Sequence, residues 1–346
     1  MMLIDEILEY LQYHPMSKRQ DIEGGISSGA SSATVKRQIA KGVADGLIVS
    51  NGNNRSTVYS ITPKAHILRT VNLDSYYAVD ADNRDVQTGY NFDLIRDEFP
   101  KINIFSAEEK ARLDECQKLF TAHMKEMKPE STAYNRELER LGIDLSWKSS
   151  QIEGNTYTLI ETETLLKDLK EAKGRTHAEA QMLLNHKSAL KAIIANPGYF
   201  ERLSLAKIED IHSVLVEGMG VEPTLRYRRV RITGTKYQPL DVESQIREAV
   251  DDMCALINGK INPYEKALLA LLLISYIQPF EDGNKRTSRL ISNAILLAHG
   301  CCPLTFRSVD ANDYRAALLL FYEQNNISAF KRIFVEQAEF AANEYF

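Results

Sequence analysis

The sequence predicts a mainly α-helical protein with a small winged helix-turn-helix domain at its N-terminus. Apolar residues recur at helical spacing along most of the 346 residues, and this periodicity is the primary sequence signal of amphipathic helices. Only two stretches favour β-structure, one at 48–61 and one at 227–240. With 44% apolar residues, the chain can bury the cores of one large and one small domain.

The small domain is predicted at residues 1–65 from the order of its elements. Apolar positions favour helices at 4–13, 17–26 and 31–48. The segments LIVS and TVYSI then follow, joined by a turn rich in Asn and Gly, and they favour a β-hairpin. Three helices followed by a hairpin are the order of a winged helix-turn-helix.

The rest of the chain is predicted to be helical. Residues 66–130 have weaker periodicity and are interpreted as a linker and a helical strap, whereas residues 131–346 form the large domain. Capping boxes at Ser106 and Thr158 mark two helix starts. The β-branched, basic segment 227–240 is predicted to be a hairpin that projects from this body. Further helices are predicted at 131–152, 177–195, 204–217, 243–257, 263–277, 284–298, 310–322 and 328–344.

Composition restricts the class of protein. The net charge of −5 gives no overall attraction to polyanions, so any contact with nucleic acid has to be local. The longest apolar run, residues 267–277, is too short to cross a bilayer. The N-terminus does not resemble a secretory signal, and the four cysteines lack a CxxC spacing. We therefore expect a cytoplasmic protein with reduced thiols and no membrane partner.

The turn QPFEDGNKR has features of a phosphate site. Gly283 permits a close approach of the backbone to a ligand, and the amides that open the following helix direct unpaired N–H groups at the turn. Lys285, Arg286 and Arg289 add positive charge, and a guanidinium can bind phosphoryl oxygens through two N–H groups. Asp282 is suited to hold Mg²⁺ beside bound phosphates. These residues alone fit an ordinary interhelical turn with solvated charges equally well.

Three motifs, in family order, resemble those of the Fic (Fic/Doc, or Fido) family. QPFEDGNKRTSR (278–289) is similar to the signature H-x-F-x-[DE]-G-N-[GK]-R-x-x-R, except at its first position. RYRRVRITGTKYQPL (226–240) looks like the flap of that family, a β-hairpin that lies over the target side chain. SSQIEGN (149–155) looks like its inhibitory motif, [ST]-x-x-x-E-[GN].

The resemblance implies a Fic-type helical bundle that binds ATP or ADP with Mg²⁺. Members of this family typically transfer AMP from ATP to a hydroxyl of a target protein. Whether the chain itself is such a target stays open. By the same resemblance Asp282 would hold Mg²⁺. Gly283, Asn284 and Lys285 would form the anion hole for the α- and β-phosphates.

The resemblance also implies autoinhibition. Arg286 would contact the β-phosphate and Arg289 the γ-phosphate. An inhibitory helix at about 144–154 would include Ser149, Glu153 and Gly154. Glu153 would pair with Arg289 and block the position where the γ-phosphate binds. A helix end closed by glycine is the alternative interpretation of this motif. The flap residues that would dock a target are Val230, Arg231, Ile232, Thr233 and Gly234.

Gln278 stands where the family has its catalytic histidine. A histidine takes the proton from the attacking hydroxyl because its pKa is near neutral. A glutamine amide can orient a hydroxyl by hydrogen bonding but has no useful basicity. The loss of a general base typically costs about 10²–10⁴-fold in rate. We therefore expect nucleotide binding to persist, with Asn284 and Arg286 in place, and transfer to be slow or absent.

The N-terminal domain has a local basic cluster. Lys36, Arg37 and Lys41 lie on its predicted third helix and Arg55 lies on the wing, where groove and backbone contacts to DNA are made in such domains. Whether the partner is DNA or a protein stays open, as does homo-oligomer formation. Two functions follow as hypotheses: a restrained protein adenylyltransferase, or a catalytically silent transcriptional regulator that responds to nucleotide and binds DNA.

Overall fold

The computed structural model describes residues 2–84, 86–127 and 131–345, apart from the side chain of Arg55. The protein is 64% helical, and the described part contains a two-stranded antiparallel sheet. The mainly α-helical fold class predicted from the periodicity is confirmed.

Fifteen α-helices and two strands follow one another along the described ranges. They are α1 (Leu3–Tyr13), α2 (Arg19–Gly25), α3 (Ser32–Ala44), β1 (Ile48–Asn51), β2 (Val58–Ile61), α4 (Pro63–Leu68), α5 (Leu73–Tyr77), α6 (Ala107–Glu126), α7 (Thr132–Ile152), α8 (Leu159–Asp168), α9 (His177–Ala195), α10 (Leu205–Val216), α11 (Glu243–Gly259), α12 (Pro263–Ile277), α13 (Asn284–Ala298), α14 (Ala311–Gln324) and α15 (Ser328–Glu344). Short 3-10 or π turns occur at Asn54–Ser56, Leu94–Glu98, Phe99–Lys101 and Pro197–Phe200.

The N-terminal unit has a hydrophobic cluster of its own. It includes Leu8 of α1, Val35 of α3 and Ile48 of β1. The strands pair antiparallel, with Ile48 opposite Ile61. Helices α1 to α3 and this hairpin follow the order that the sequence predicted, and the assignment of the unit as a winged helix-turn-helix stays a prediction.

The main core surrounds α12, which is buried from Ala267 to Ile277. Its apolar residues lie on every face, and a helix of this kind is stable only inside a large core. It packs against α13, whose first turn carries the candidate site. The motif is thus attached to the most deeply buried helix pair of the structure.

The segment between the two predicted domains belongs to the main body. Ile67, Phe99 and Leu113 are part of the same hydrophobic cluster as α12, and α6 packs against α15. Residues 76–84 and 86–88, called the strap below, are joined to α14, because Tyr76 Oη donates to Glu323 at 2.7 Å and the Gln87 amide donates to the Glu323 carbonyl at 2.8 Å.

Candidate functional site

A cavity of about 470 Å³ lies in front of the first turn of α13. Segments far apart in sequence line it: Glu153 after α7, residues 230–233 of the predicted flap, and residues 278 and 281–285 of the motif. The structure therefore brings the three motifs together. The fourth wall, formed by α14, was not predicted, because no local pattern links it to the motif; it contributes Arg315, Leu318, Leu319 and Tyr322.

The first turn of α13 leaves backbone N–H groups directed at the cavity. Gly283 is its N-cap, with φ of 79°, and no side chain caps the helix. A β-carbon added at Gly283 would lie 3.3 Å from Cε1 of His212. Any other residue at this position would also have to adopt a left-handed backbone conformation, which residues with a side chain avoid. The helix start thus needs glycine, and uncapped amides at the positive end of a helix dipole suit an anion; the predicted phosphate-binding role of this turn stays a prediction.

Asp282 lies at the edge of this turn. Its Oδ1 accepts from the Gly283 amide at 2.6 Å, and its Oδ2 lies 3.2 Å from Nη2 of Arg286. Its side chain is 62% exposed, whereas that of Arg286 is 2% exposed. Burial lowers the pKa of Arg286, against the opposing charge of Asp282. The guanidinium of Arg286 lies behind the cavity wall, so its predicted contact with the β-phosphate stays a prediction.

Glu153 is held by two cations of the motif. Its Oε1 accepts from Nη2 of Arg289 at 2.9 Å and its Oε2 accepts from Nζ of Lys285 at 3.2 Å. Burial raises the pKa of Glu153, but the charges of Arg289 and Lys285 outweigh it and keep the pKa below its ordinary value. The carboxylate is therefore ionised at neutral pH and neutralises the side of the turn where phosphates would lie.

Arg289 is fully buried and is bound to the end of α7. Its Nε donates to Oγ of Ser149 at 2.8 Å, and its Nη2 donates to the Ser149 carbonyl at 2.8 Å. Its Nη1 is buried and has no hydrogen-bond partner in the described part of the chain. The guanidinium also lies over the ring of Tyr314, with its central carbon 5.5 Å from the ring centroid.

The end of α7 places Glu153 at the cavity. The predicted inhibitory helix at 144–154 is the C-terminal half of the longer α7, which ends at Ile152 with Glu153 as its C-cap. Gly154 follows with φ of 96°, so a glycine closes the helix end as the alternative interpretation expected, and the inhibitory role of the motif stays a prediction. Nε of Arg315, from α14, donates to the Ile152 carbonyl at 3.1 Å and fixes this end.

Gln278 is the C-cap of α12, in the left-handed conformation, and is 9% exposed. Its Nε2 donates to the Ser275 carbonyl at 2.6 Å, and its Oε1 accepts from Nδ2 of Asn284 at 3.1 Å. Both ends of the amide are therefore bound to the protein. Asn284 also exchanges two hydrogen bonds with the backbone of Phe280, at 2.9 and 2.8 Å, so it closes the turn.

His212 lies beneath the motif, and the sequence did not reveal this position of the histidine. Its ring stacks on Phe280 with centroids 3.7 Å apart, and its Nδ1 lies 3.2 Å from Oγ1 of Thr287. Burial and the nearby Arg286 lower the pKa of His212 to about 4. The imidazole is neutral at pH 7 and does not line the cavity, so it takes a core position and does not replace the missing base.

The predicted flap hairpin is only partly correct. Residues 226–240 have a turn at Thr233 and Gly234, but their two arms form no ladder within the described chain. Each arm is bound elsewhere: the Arg226 amide donates to the Pro279 carbonyl at 3.0 Å, and the Gln238 amide donates to the Thr88 carbonyl at 2.9 Å. On the second arm, the ring of Tyr237 is buried and stacks on Tyr276 with centroids 4.6 Å apart.

The basic cluster of the N-terminal unit is exposed. Lys36, Arg37 and Lys41 all lie on the solvent side of α3. The fourth predicted DNA contact, the side chain of Arg55, lies outside the described residues. The DNA-binding role of these residues stays a prediction.

Residues 202–296 match the family model described as the Fic/DOC family. The chain contains a Fic/DOC family domain. Among curated relatives, "Protein adenylyltransferase Fic" from Nematostella vectensis is 29% identical over 222 residues, or 62% of this chain and 50% of the relative. "Protein adenylyltransferase fic-1" from Caenorhabditis elegans is 24% identical over 54% of this chain and 38% of the relative. The chain thus spans half or less of the length of these two relatives.

Solved structures share the fold of the Fic/DOC domain. Fic-1 (residues 134–508) from C. elegans has a TM-score of 0.60 at 21% identity, and the match covers 69% of this chain and 72% of that one. A Fic domain containing signaling protein from Bacteroides thetaiotaomicron has a TM-score of 0.57 at 20% identity over 67% of this chain and 94% of that one. Within the described ranges, every helix is too short or too polar to span a bilayer.

Proposed function

We propose that this chain is a cytoplasmic, nucleotide-binding Fic protein of the adenylyltransferase class, restrained by Glu153 and slowed by Gln278. One observation carries the proposal. Glu153 pairs with both Arg289 and Lys285, at 2.9 and 3.2 Å, on the wall of the cavity that the motif lines. A carboxylate and a polyphosphate compete for the same cations, and the intramolecular carboxylate competes at a high effective concentration.

The donor set fits ATP or ADP with Mg²⁺. The uncapped amides at the start of α13 and the ammonium of Lys285, which lines the cavity, are donors for phosphate oxygens. The exposed Asp282 is a single carboxylate, which suits Mg²⁺ because this ion takes its other ligands from water and phosphates. No cluster of three metal-ligating side chains is found within the described ranges. Bound Mg²⁺ would neutralise the charge of the phosphates.

Transfer requires a proton acceptor that Gln278 does not supply. When a target hydroxyl attacks the α-phosphorus, a P–O bond to the hydroxyl oxygen forms, the bond to pyrophosphate breaks and the hydroxyl proton must leave. The Gln278 amide is bound to Ser275 and Asn284 and is not basic. We propose that the remaining groups bind and orient the nucleotide, so that transfer persists only at a rate reduced by about 10²–10⁴-fold.

The flap would recognise the main chain of a target. Residues 230–233 line one side of the cavity, and their segment lacks an internal ladder. Unpaired backbone groups at an edge can bind an extended segment by strand addition, with little demand on its side chains. The accepting protein would thus be selected by an extended loop that carries a hydroxyl.

Labelled ATP tests this function. The chain, its Glu153→Gly variant, its Gln278→His variant and the double variant are each incubated with [α-³²P]ATP and Mg²⁺, alone and with candidate target proteins. We expect strong labelling in the double variant, weak labelling in the single variants and the least in the unaltered chain. Labelling that is absent from the double variant, including self-labelling, would contradict the adenylyltransferase proposal.

A second function is favoured by α3. Lys36, Arg37 and Lys41 are all exposed in the N-terminal unit, a position suited to a recognition helix. The chain would then be a DNA-binding regulator that responds to nucleotide and whose chemistry is silent. A DNA mobility shift that changes with ATP, together with no labelling by the unaltered chain or any of its three variants, would support this function over the first.

A further inference from the structure

Arg69 is a buried guanidinium without a counter-ion. Its residue is 6% exposed, and its Nε has no hydrogen-bond partner in the described chain. Among the described residues no carboxylate forms a salt bridge with it, whereas Arg84, which lines the same cavity, pairs with Glu323 at 2.9 Å. An unpaired buried charge lowers the stability of the folded state. A ligand that pairs with this guanidinium would offset that loss.

The guanidinium faces a cavity between the N-terminal unit and the strap. This cavity has a volume of about 280 Å³ and is lined by Arg69, by Tyr13 of α1 and by Tyr76 of α5. Asn72 and Ser75 add polar groups to its wall. Its size lies just below the usual range of small-molecule sites, about 300–1,000 Å³, so only a small ligand fits.

The charges around the cavity favour an anion. Arg84 also lines it, but Glu323 neutralises its charge. Glu9 also lines the cavity, from an exposed position on α1. Burial lowers the pKa of Arg69 and the charge of Glu9 raises it, but no salt bridge joins the two among the described residues. The positive charge of Arg69 thus lacks a directly bonded counter-charge.

We propose that this cavity binds a small oxyanion, a phosphate or carboxylate group, through the guanidinium of Arg69. A planar guanidinium offers two parallel N–H groups to such a ligand, which a lysine ammonium cannot do. The ligand would lie beside Tyr76, whose hydroxyl donates to Glu323, and would therefore contact the strap that joins the N-terminal unit to the helical body. The site is separate from the cavity of the Fic motif.

The test is a thermal-unfolding titration with inorganic phosphate, sodium acetate and glycerol phosphate, each against chloride at matched ionic strength. We expect one or more of these anions to raise the melting temperature of the unaltered chain and of Lys285→Met, but not of Arg69→Met. Without added anion, Arg69→Met should be as stable as the unaltered chain or more stable, since an unpaired buried charge is removed. Arg202→Met, at an exposed position, is the matched control and should keep the response.

Comparison of the anions shows whether the site takes a phosphate or a carboxylate. A response that persists in Arg69→Met and disappears in Lys285→Met would place all anion binding at the Fic motif and overturn the proposal, and so would the absence of any specific response in the unaltered chain. Should Arg69→Met not fold, Arg69→Lys replaces it. That variant keeps the charge and loses the bidentate geometry, so its anion affinity is expected to fall about tenfold, and an unchanged affinity would equally overturn the proposal.

Discussion

Glu153 and Arg289 form a hydrogen-bonded ion pair: Oε1 and Nη2 are 2.9 Å apart, and the two residues are 136 positions apart in the sequence. The arginine is fully buried, whereas the glutamate side chain is 18% exposed at the cavity. The pair therefore connects the end of α7 to the first turns of α13. It also gives Arg289 a charge partner, which offsets the cost of burying a guanidinium.

Ser149 should contribute measurably to the position of Arg289. Ser149→Ala removes the hydroxyl that accepts from Nε at 2.8 Å and leaves this charged donor without its partner. We expect the free energy of unfolding to fall by about 1.5–3 kcal/mol, measured by urea denaturation. Ser150→Ala is the matched control, because the buried Oγ of Ser150 has no partner in the described chain. That control should be neutral or stabilising, and an equal loss in both variants would contradict the assigned role of Ser149.

Arg84 should hold the strap and the flap. It pairs with the buried Glu323, and its Nη2 donates to the Gly234 carbonyl at 3.0 Å. Arg84→Gln leaves Glu323 buried without a counter-charge, so we expect a loss of about 3–5 kcal/mol and faster amide exchange at 230–236. Arg96→Gln is the control, since its pair with Glu248 is exposed and worth about 0–1 kcal/mol. Unchanged exchange in the flap of Arg84→Gln would refute this coupling.

Stability should rise with pH between about 4 and 6.5. The folded pKa of His212 is about 4 against an ordinary value of 6.5, so between these values the unfolded chain binds more protons than the folded one. The contribution of neutral His212 to the free energy of unfolding is therefore fully present above pH 6.5 and is lost as the pH falls toward 4. His212→Phe keeps a ring against Phe280 and should flatten this dependence of stability on pH. Part of the dependence will remain, because the buried His186 also has a lowered pKa, of about 3. The exposed His177→Gln is the control, and a slope unaltered by His212→Phe would refute the assignment.

The basic residues of α3 are the test of DNA binding. If the N-terminal unit binds duplex DNA, each of Lys36, Arg37 and Lys41 that contacts a phosphate contributes about 0.9 to the slope of log affinity against log salt. Substitution of each by Gln should lower that slope by about 1 and weaken binding to all sequences alike. Lys110→Gln, on α6, is the control. Binding that is unaffected by all three substitutions would favour a protein partner or another face of the unit.

Local patterns predicted the helices but not all the walls of the cavity. The order of the motif residues, the Gly283 turn and the capping at Ser106 are local features, and they appear in the structure as expected. The contribution of Leu318 and Tyr322 to the cavity depends on how α14 packs, which no spacing within the chain encodes. The contact between the rings of His212 and Phe280 also depends on helix packing and is not encoded by any local spacing.

The flap shows why a hairpin pattern can fail. Its β-branched arms and central Gly234 favour a ladder, but Tyr237 is drawn into the tyrosine stack and donates from its hydroxyl to the Tyr276 carbonyl at 2.9 Å. Burial of this ring and the separate backbone partners of the two arms outweigh the local preference, since the packing of side chains commonly overrides β-propensity. The competing partners are distant in sequence and could not be read from the segment.

The central claim is that Glu153 keeps polyphosphate from the cations of the motif, and calorimetric titration of ATP with Mg²⁺ tests it most directly. The unaltered chain is compared with Glu153→Gln, Glu153→Gly and, as control, Glu281→Gln, which changes another glutamate of the same cavity. We predict that both Glu153 variants bind at least about tenfold tighter, a gain of about 1.4 kcal/mol, while the control binds like the unaltered chain. Equal affinity in all four proteins, or no binding by the Glu153 variants, would contradict the account.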